Sequence, residues 1–229
     1  MPRLARVVVP DVAHHATQRG NRRLPTFFGD EDYTAYRGLL AEWAVTRGVE
    51  VWAYCLVPSH VHLVAVPATQ DALRRALGEA HRRYSRRVNF REGWRGHLWQ
   101  GRFASFPLDQ AHLSMMATRY VELNSVRARL VSRPEDYPWS SAAARLCGRD
   151  DALVRVAPLL ERFEAWGEFL AGGLTEEKAG LLRRHERTGR PLSGESLLVR
   201  LEALLGRLLR PQKRGPRGPR SHSGPEKYV

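Results

Sequence analysis

His60 and His62 stand two residues apart in the run HVHLVAVP. On an extended strand the side-chain period of two puts both imidazoles on one face and turns Val61 and Leu63 to the other. Such a pair can grip one cation, although His-x-His taken alone more often marks structural histidines. Completion must come from another part of the chain. Tyr120 and Asn124 are spaced i, i+4 in a segment expected to be helical from Asp109 or Gln110 to Asn124, so a phenol and a carboxamide share one helical face. A phenol titrates near about 10 and is a poor nucleophile at neutral pH, but it becomes effective where a cation or base favours its phenolate. A cation held by the imidazoles and bound to a phosphodiester would also neutralise charge on the non-bridging oxygens and fix the group for in-line attack. By itself the Tyr-x-x-x-Asn pair more often describes a packing residue and a surface amide.

The elements that must carry these residues can be read along the chain. Residues 13–19 suit a strand stopped by the turn signal Gly20-Asn21, and His15, Thr17 and Arg19 on it alternate so as to border the same site, with a structural role favoured for His15. Tyr33, Tyr36, Leu39, Leu40 and Trp43 give the 3–4 spacing of a helix that starts at the acidic turn from Asp30 and ends near Gly48. VEVWAYCLVP and HVHLVAVP are adjacent β-branched and aromatic runs that imply a hairpin turning at Pro58-Ser59. Helical spacing returns over 70–90, residues 102–108 read as a fourth strand, and the tyrosine helix follows. The order βαββαβ plus a helix is the α+β, ferredoxin-like antiparallel sheet with two helices on one face. The other face is then available for a site, and an added helix carries the tyrosine. After Pro134 short helical pieces (139–146, 153–169, 176–185, 195–209) form a helical C-terminal extension. The expected division is therefore a catalytic domain over 1–145, the extension over 146–209 and a Pro/Gly/Arg-rich, disordered basic tail over 210–229.

The 229 residues carry 37 Lys+Arg against 24 Asp+Glu, a formal charge of +13 with a pI near 10.7, which favours a polyanionic partner. No stretch approaches the roughly 18 apolar residues of a membrane span. The apolar run Val7–Val9 is too short for a secretory signal, and the two cysteines, Cys55 and Cys147, lack zinc-ligand spacing, so a cytoplasmic protein with reduced thiols is expected. Arg82, Arg83, Arg86 and Arg87 on the second helix would track a phosphate backbone, with Tyr84 stacking on a base. Trp94 and Trp99, set among Arg91, Arg95 and Arg102, suit unpaired bases, with core packing the stronger reading for Trp99. Arg127, beyond the tyrosine, would place the attacked phosphate.

HATQRGN at 15–21, HVH after YCLVPS, LWQGRF at 98–103, RYVELNSVRA at 119–128 and YPWSS at 137–141 occur in this order. Together they resemble the REP-associated tyrosine transposases, a branch of the single-tyrosine HUH transposases, over about residues 1–145. TGRPLSG at 188–194 and the basic tail resemble that family's C-terminal region. The resemblance implies that His60 and His62 are metal ligands, that Asn124 stands where a third, polar ligand is placed, and that Tyr120 is the nucleophile. It further implies single-stranded DNA beside a hairpin as substrate, a 5′-phosphotyrosine intermediate, and an active site completed within a monomer or across a homodimer. Oxygen ligation of a phosphate beside only two imidazoles favours Mg²⁺ or Mn²⁺ over zinc. Two positions depart from the family pattern: Ser59 replaces the Asn before the first histidine, and Ser125 replaces a Pro after Asn124. Neither removes a ligand or the nucleophile, and Ser125 lets the tyrosine helix run on. Two rival readings stay open, a non-catalytic nucleic-acid-binding protein and a metal-dependent phosphodiesterase that uses water.

Overall fold

The computed structural model describes residues 5–109, 111–161, 163 and 165–210. Four strands, β1 (His14–Arg19), β2 (Val49–Val57), β3 (His60–Pro67) and β4 (Ala104–Pro107), form one sheet in the order β2-β3-β1-β4, and every pairing is antiparallel. With α1 (Asp30–Thr46) between β1 and β2 and α2 (Ala72–Glu92) between β3 and β4, this is the expected βαββαβ arrangement. The added helix α3 (Ala111–Glu122) follows β4.

Alternation along the strands divides the sheet into two chemically different faces. Ala16, Val61, Leu63 and Ala65 pack with Tyr36 and Leu40 of α1 and with Leu73, Leu77 and Tyr84 of α2 in one apolar cluster. Cys55, Val57, Val64 and Phe106 pack with Leu113, Ala117, Tyr120 and Val121 of α3 in a second. The i, i+4, i+7 and i+8 spacing of those α3 residues gives a single apolar stripe, and its burial holds the helix on the sheet. Both hairpin histidines belong to the α3 side because Val61 and Leu63 belong to the other. α1 opens with Asp30, Glu31 and Asp32, which suit the positive helix end, and α2 stops at Gly93 in the left-handed region at φ 65°.

The end of β1 is tied to the histidine hairpin at Gly20, whose N–H donates to Ser59 O at 2.7 Å. A Cβ on Gly20 would fall 2.3 Å from Leu24 O, so a larger residue would have to move the turn away from Ser59 and His60. The C-terminal part comprises α4 (Asn124–Arg127), α5 (Ala142–Leu146), α6 (Ala157–Leu160), α7 (Trp166–Ala171), α8 (Glu176–Thr188) and α9 (Glu195–Leu205). Ala179 and Leu182 of α8 join the cluster that holds Tyr120, and Leu192 runs beside β4, its N–H donating to Pro107 O at 3.0 Å.

Three expectations shift. The single helix 153–169 is replaced by α6 and α7, and α6 starts only at Ala157 because Pro158 fits a first turn and not a helix interior. The tyrosine helix does not run unbroken to Asn124: α3 ends at Glu122, Leu123 sits at φ −82°, ψ 2°, and Asn124 opens the separate short helix α4. The last helix stops at Leu205, before Gly206 at φ 59°. Residues 211–229, most of the expected basic tail, lie outside the described residues. Among the described residues no helix is long and apolar enough to cross a membrane.

Candidate active site

β3 presents His60 and His62 next to one another, with ring centres 4.9 Å apart and planes at 78°. β1 lies alongside, and its register puts Thr17 across from His62 and Arg19 across from His60. α3 then lowers Tyr120 onto the same patch, its ring centre 5.6 Å from His62 and 5.7 Å from His15, edge-on to both. One chain therefore brings together the imidazole pair and the phenol. Tyr120 is 4% exposed, and the Arg127 guanidinium lies 4.5 Å above its ring centre as a cation–π contact. Asn124 is buried at the start of α4, one turn beyond Tyr120.

His15 is a structural partner of the pair. Its Nε2 is 3.3 Å from His62 Nδ1, with ring centres 5.4 Å apart and planes at 5°. The centre separation is close to the N···N distance plus one ring radius at each side, so the rings meet edge to edge in nearly one plane. Ser59 Oγ is 3.0 Å from His60 Nδ1. In both imidazoles Nδ1 is thus engaged by a neighbour, and Nε2 is the nitrogen left to face a ligand. Where His62 Nδ1–H donates to His15, the His62 Nε2 keeps its lone pair, which is the tautomer metal binding requires.

Charge in the patch is arranged against protonation. Burial lowers His60 to about 4, with Arg19 adding to the effect, and lowers His15 to about 3. His62 is pushed well below 6.5 by burial first, then by His60, His15, Arg19 and Arg127. Neutral imidazoles under two guanidinium groups offer lone pairs to a cation while the surroundings attract an anion. Among the described residues no group of three or more His, Cys, Asp or Glu is placed to hold a metal. Two imidazoles alone make an open half-site, which suits a cation whose other ligands are oxygens brought by substrate. To that extent the residues present fit Mg²⁺ or Mn²⁺.

The other sequence-selected residues separate into two groups. Arg82, Arg83, Arg86 and Arg87 are exposed on α2, across the sheet from Tyr120, and Arg82 and Arg83 pair with Glu79. They do not converge on the imidazoles. Tyr84 is corrected from base-stacking to a core position, since it is fully buried and donates its hydroxyl to Thr26 O at 2.6 Å, while Trp99 packs against His81 in the core position favoured for it over base contact. Tyr84 lies eleven residues after Leu73, on the apolar stripe of α2, and that periodicity outweighs its arginine neighbours. Near α2 the exposed aromatics are instead Phe28, Phe90 and Trp94, with Arg91 over Phe28 at 5.7 Å. Phe28 and Phe90 carry no motif that would have singled them out. Arg102 lines a cavity beside β4 together with Arg19.

This fold and patch define a class, an antiparallel α+β domain with an imidazole pair on one sheet face and a tyrosine helix laid across it. Residues 8–124 match the IS200-like transposase family, and the chain belongs to it. It is a transposase and hence a DNA-cleaving enzyme. Among solved structures it is similar to a REP-associated tyrosine transposase bound to a REP hairpin, at 19% identity and a TM-score of 0.53, covering 66% of this chain and 90% of that one. At that identity the likeness is one of fold. A putative transposase from Deinococcus radiodurans R1 aligns at 21% identity and a TM-score of 0.38, covering 53% of this chain and 96% of that one. No functionally curated protein matches the sequence at a significant level.

Proposed function

We propose that the chain is a single-tyrosine DNA strand transferase that cleaves and rejoins single-stranded DNA beside a hairpin. The observation that carries this reading is the placement of the Tyr120 ring 5.6 Å from His62 on one sheet face of the same chain. The hairpin is suggested by the REP hairpin held by the structurally similar transposase.

In this reading Nε2 of His60 and His62, with Asn124 as a further polar group, would hold a divalent cation, Mg²⁺ or Mn²⁺, which would supply Lewis-acid polarisation of the scissile phosphate. The protein's own groups do the rest. His15 and Ser59 hold the two imidazoles in the ligating orientation. Arg127 leaves the face of Tyr120 for the incoming phosphate, which frees the phenol and brings a fixed positive charge to the non-bridging oxygens. The Tyr120 oxygen forms a bond to phosphorus as the bond to the 3′ oxygen breaks. The phenol proton is lost, the 3′ oxygen gains one, and a 5′-phosphotyrosyl link remains. Attack by a 3′-hydroxyl on that link reverses the step on the same or another strand, so no nucleotide cofactor is consumed.

The test is incubation with a labelled hairpin bearing a single-stranded flank, in Mn²⁺, followed by denaturing electrophoresis in detergent. A protein–DNA band that survives boiling, and vanishes in Tyr120→Phe, is the expected result. Cleavage without such a band would assign the chemistry to water, and binding without cleavage would make the chain a binding protein only.

A further inference from the structure

A cavity of about 550 Å³ opens beside the imidazole pair, between the N-terminal segment, β1, the turn before β4 and the end of α8. It adjoins the imidazole pair, since Thr17 and Arg19 in its wall stand across the ladder from His62 and His60. Its lining draws arginines from four separate parts of the chain: Arg6, Arg19, Arg102, and the pair Arg187 and Arg190. The one carboxylate among them is Glu186, which accepts a hydrogen bond from Thr17 Oγ1 at 3.1 Å and pairs with Arg19 at 3.7 Å.

Repulsion within the wall favours an anionic occupant: burial, with the neighbouring Arg102 and Arg74, lowers the Arg6 guanidinium to about 10. Five arginines and one carboxylate in the lining leave a positive balance that favours a ligand with more than one negative charge. A strand of nucleic acid leaving the imidazole pair would enter this space directly.

We infer that the cavity is the site that holds the phosphates of the single-stranded flank next to the cleaved bond, with Glu186 occupying part of that site until the strand displaces it from Arg19. This rests on the reading of the chain as an enzyme of single-stranded DNA. Glu186 sets the sign of the test. Removing arginines weakens the site, and removing the carboxylate strengthens it, which loss of structure alone would not do.

The experiment measures binding of a fluorescein-labelled oligothymidylate over a range of salt concentrations for the full chain, for Arg187→Gln/Arg190→Gln and for Glu186→Gln. Each lost phosphate contact flattens the slope of log affinity against log salt by about 0.7 for a single strand, so the double variant should lose up to about 1.4. Glu186→Gln should bind several-fold tighter than the parent. Equal affinities and slopes in all three proteins would overturn the inference, as would weaker binding by Glu186→Gln. A double variant that melts early leaves the Glu186→Gln arm to decide alone. Thymidine monophosphate, tested as a competitor, separates strand from free nucleotide: displacement of the oligonucleotide at equimolar mononucleotide would overturn the strand reading. Adduct formation in the hairpin assay is read separately. A parent protein that forms no adduct but shows the slope differences loses the transferase reading and keeps the phosphate site.

Discussion

Two rings, one hydroxyl and one shared hydrogen bond separate the chemistry of this patch from ordinary packing. Tyr120→Phe removes only an oxygen, so it should abolish the covalent adduct and leave oligonucleotide affinity within a few-fold. Undiminished adduct from that variant would place the nucleophile elsewhere. His60→Ala and His62→Ala each remove a proposed ligand bond, and cleavage at fixed Mn²⁺ should fall steeply, with only partial rescue by added metal. Full activity in both would reject the metal role. His15 touches neither substrate nor metal in this scheme. Because its Nε2 engages His62 Nδ1 at 3.3 Å, His15→Ala should weaken Mn²⁺ binding by about 10- to 100-fold, the usual cost of losing the partner that orients an imidazole ligand. Calorimetric titration of Mn²⁺ reads this without turnover. Unchanged affinity would make His15 a packing residue.

At the scale of elements, the position of α3 depends on a buried charge pair two residues past the tyrosine. Glu122 and Arg145 are both fully buried; Arg145 Nε donates to Glu122 Oε1 at 2.9 Å, Ser141 Oγ donates to the same oxygen at 2.7 Å, and Trp166 Nε1 donates to Oε2 at 2.8 Å. Arg145 also donates to Val156 O and Trp52 O, so α3, α5, α7 and β2 meet at one carboxylate. Arg145→Leu leaves that carboxylate buried and unpaired and should cost about 3–5 kcal/mol in urea unfolding, whereas Glu122→Gln/Arg145→Leu should cost clearly less. Equal costs would mean the pair is not coupled. Nothing in the sequence near Glu122 signals this partner 23 residues away. The strands and α1–α3 were legible because local periodicity sets them, and the imidazole pair was legible because a period of two fixes its face. Tyr84 was misjudged for the opposite reason, since composition shows that arginine and aromatic residues are mixed but not which of them face water. The Leu123 break and the cavity arginines depend on contacts distant in sequence, to which neither period nor composition responds.

For the whole molecule, several histidines are buried in their neutral form. Burial lowers His81 to about 3 and His14 to about 4, and His81 Nε2 lies 2.9 Å from the Tyr36 hydroxyl inside the α1–α2 core. The unfolded chain takes up these protons near 6.5, while the folded chain resists until about 4 or below. Between those limits the unfolded state binds more protons, so stability is full above about 6.5 and is lost as pH falls. Thermal unfolding followed from pH 7.5 to 4.5 should show Tm dropping steadily below about 6.5, with a shallower drop in His81→Gln if that variant folds. A Tm constant to pH 4.5 would contradict the buried, neutral assignment.

The edge-on seating of Tyr120 against His62 and His15 of its own chain also fixes a count. If one polypeptide holds nucleophile and imidazoles together, two broken chains cannot lend each other what they lack. A mixture of Tyr120→Phe and His62→Ala proteins should form no more adduct than the two measured apart. With DNA in excess, the yield from intact protein should scale with the first power of its concentration. Restored activity in the mixture would show that the tyrosine helix trades places between molecules before it acts.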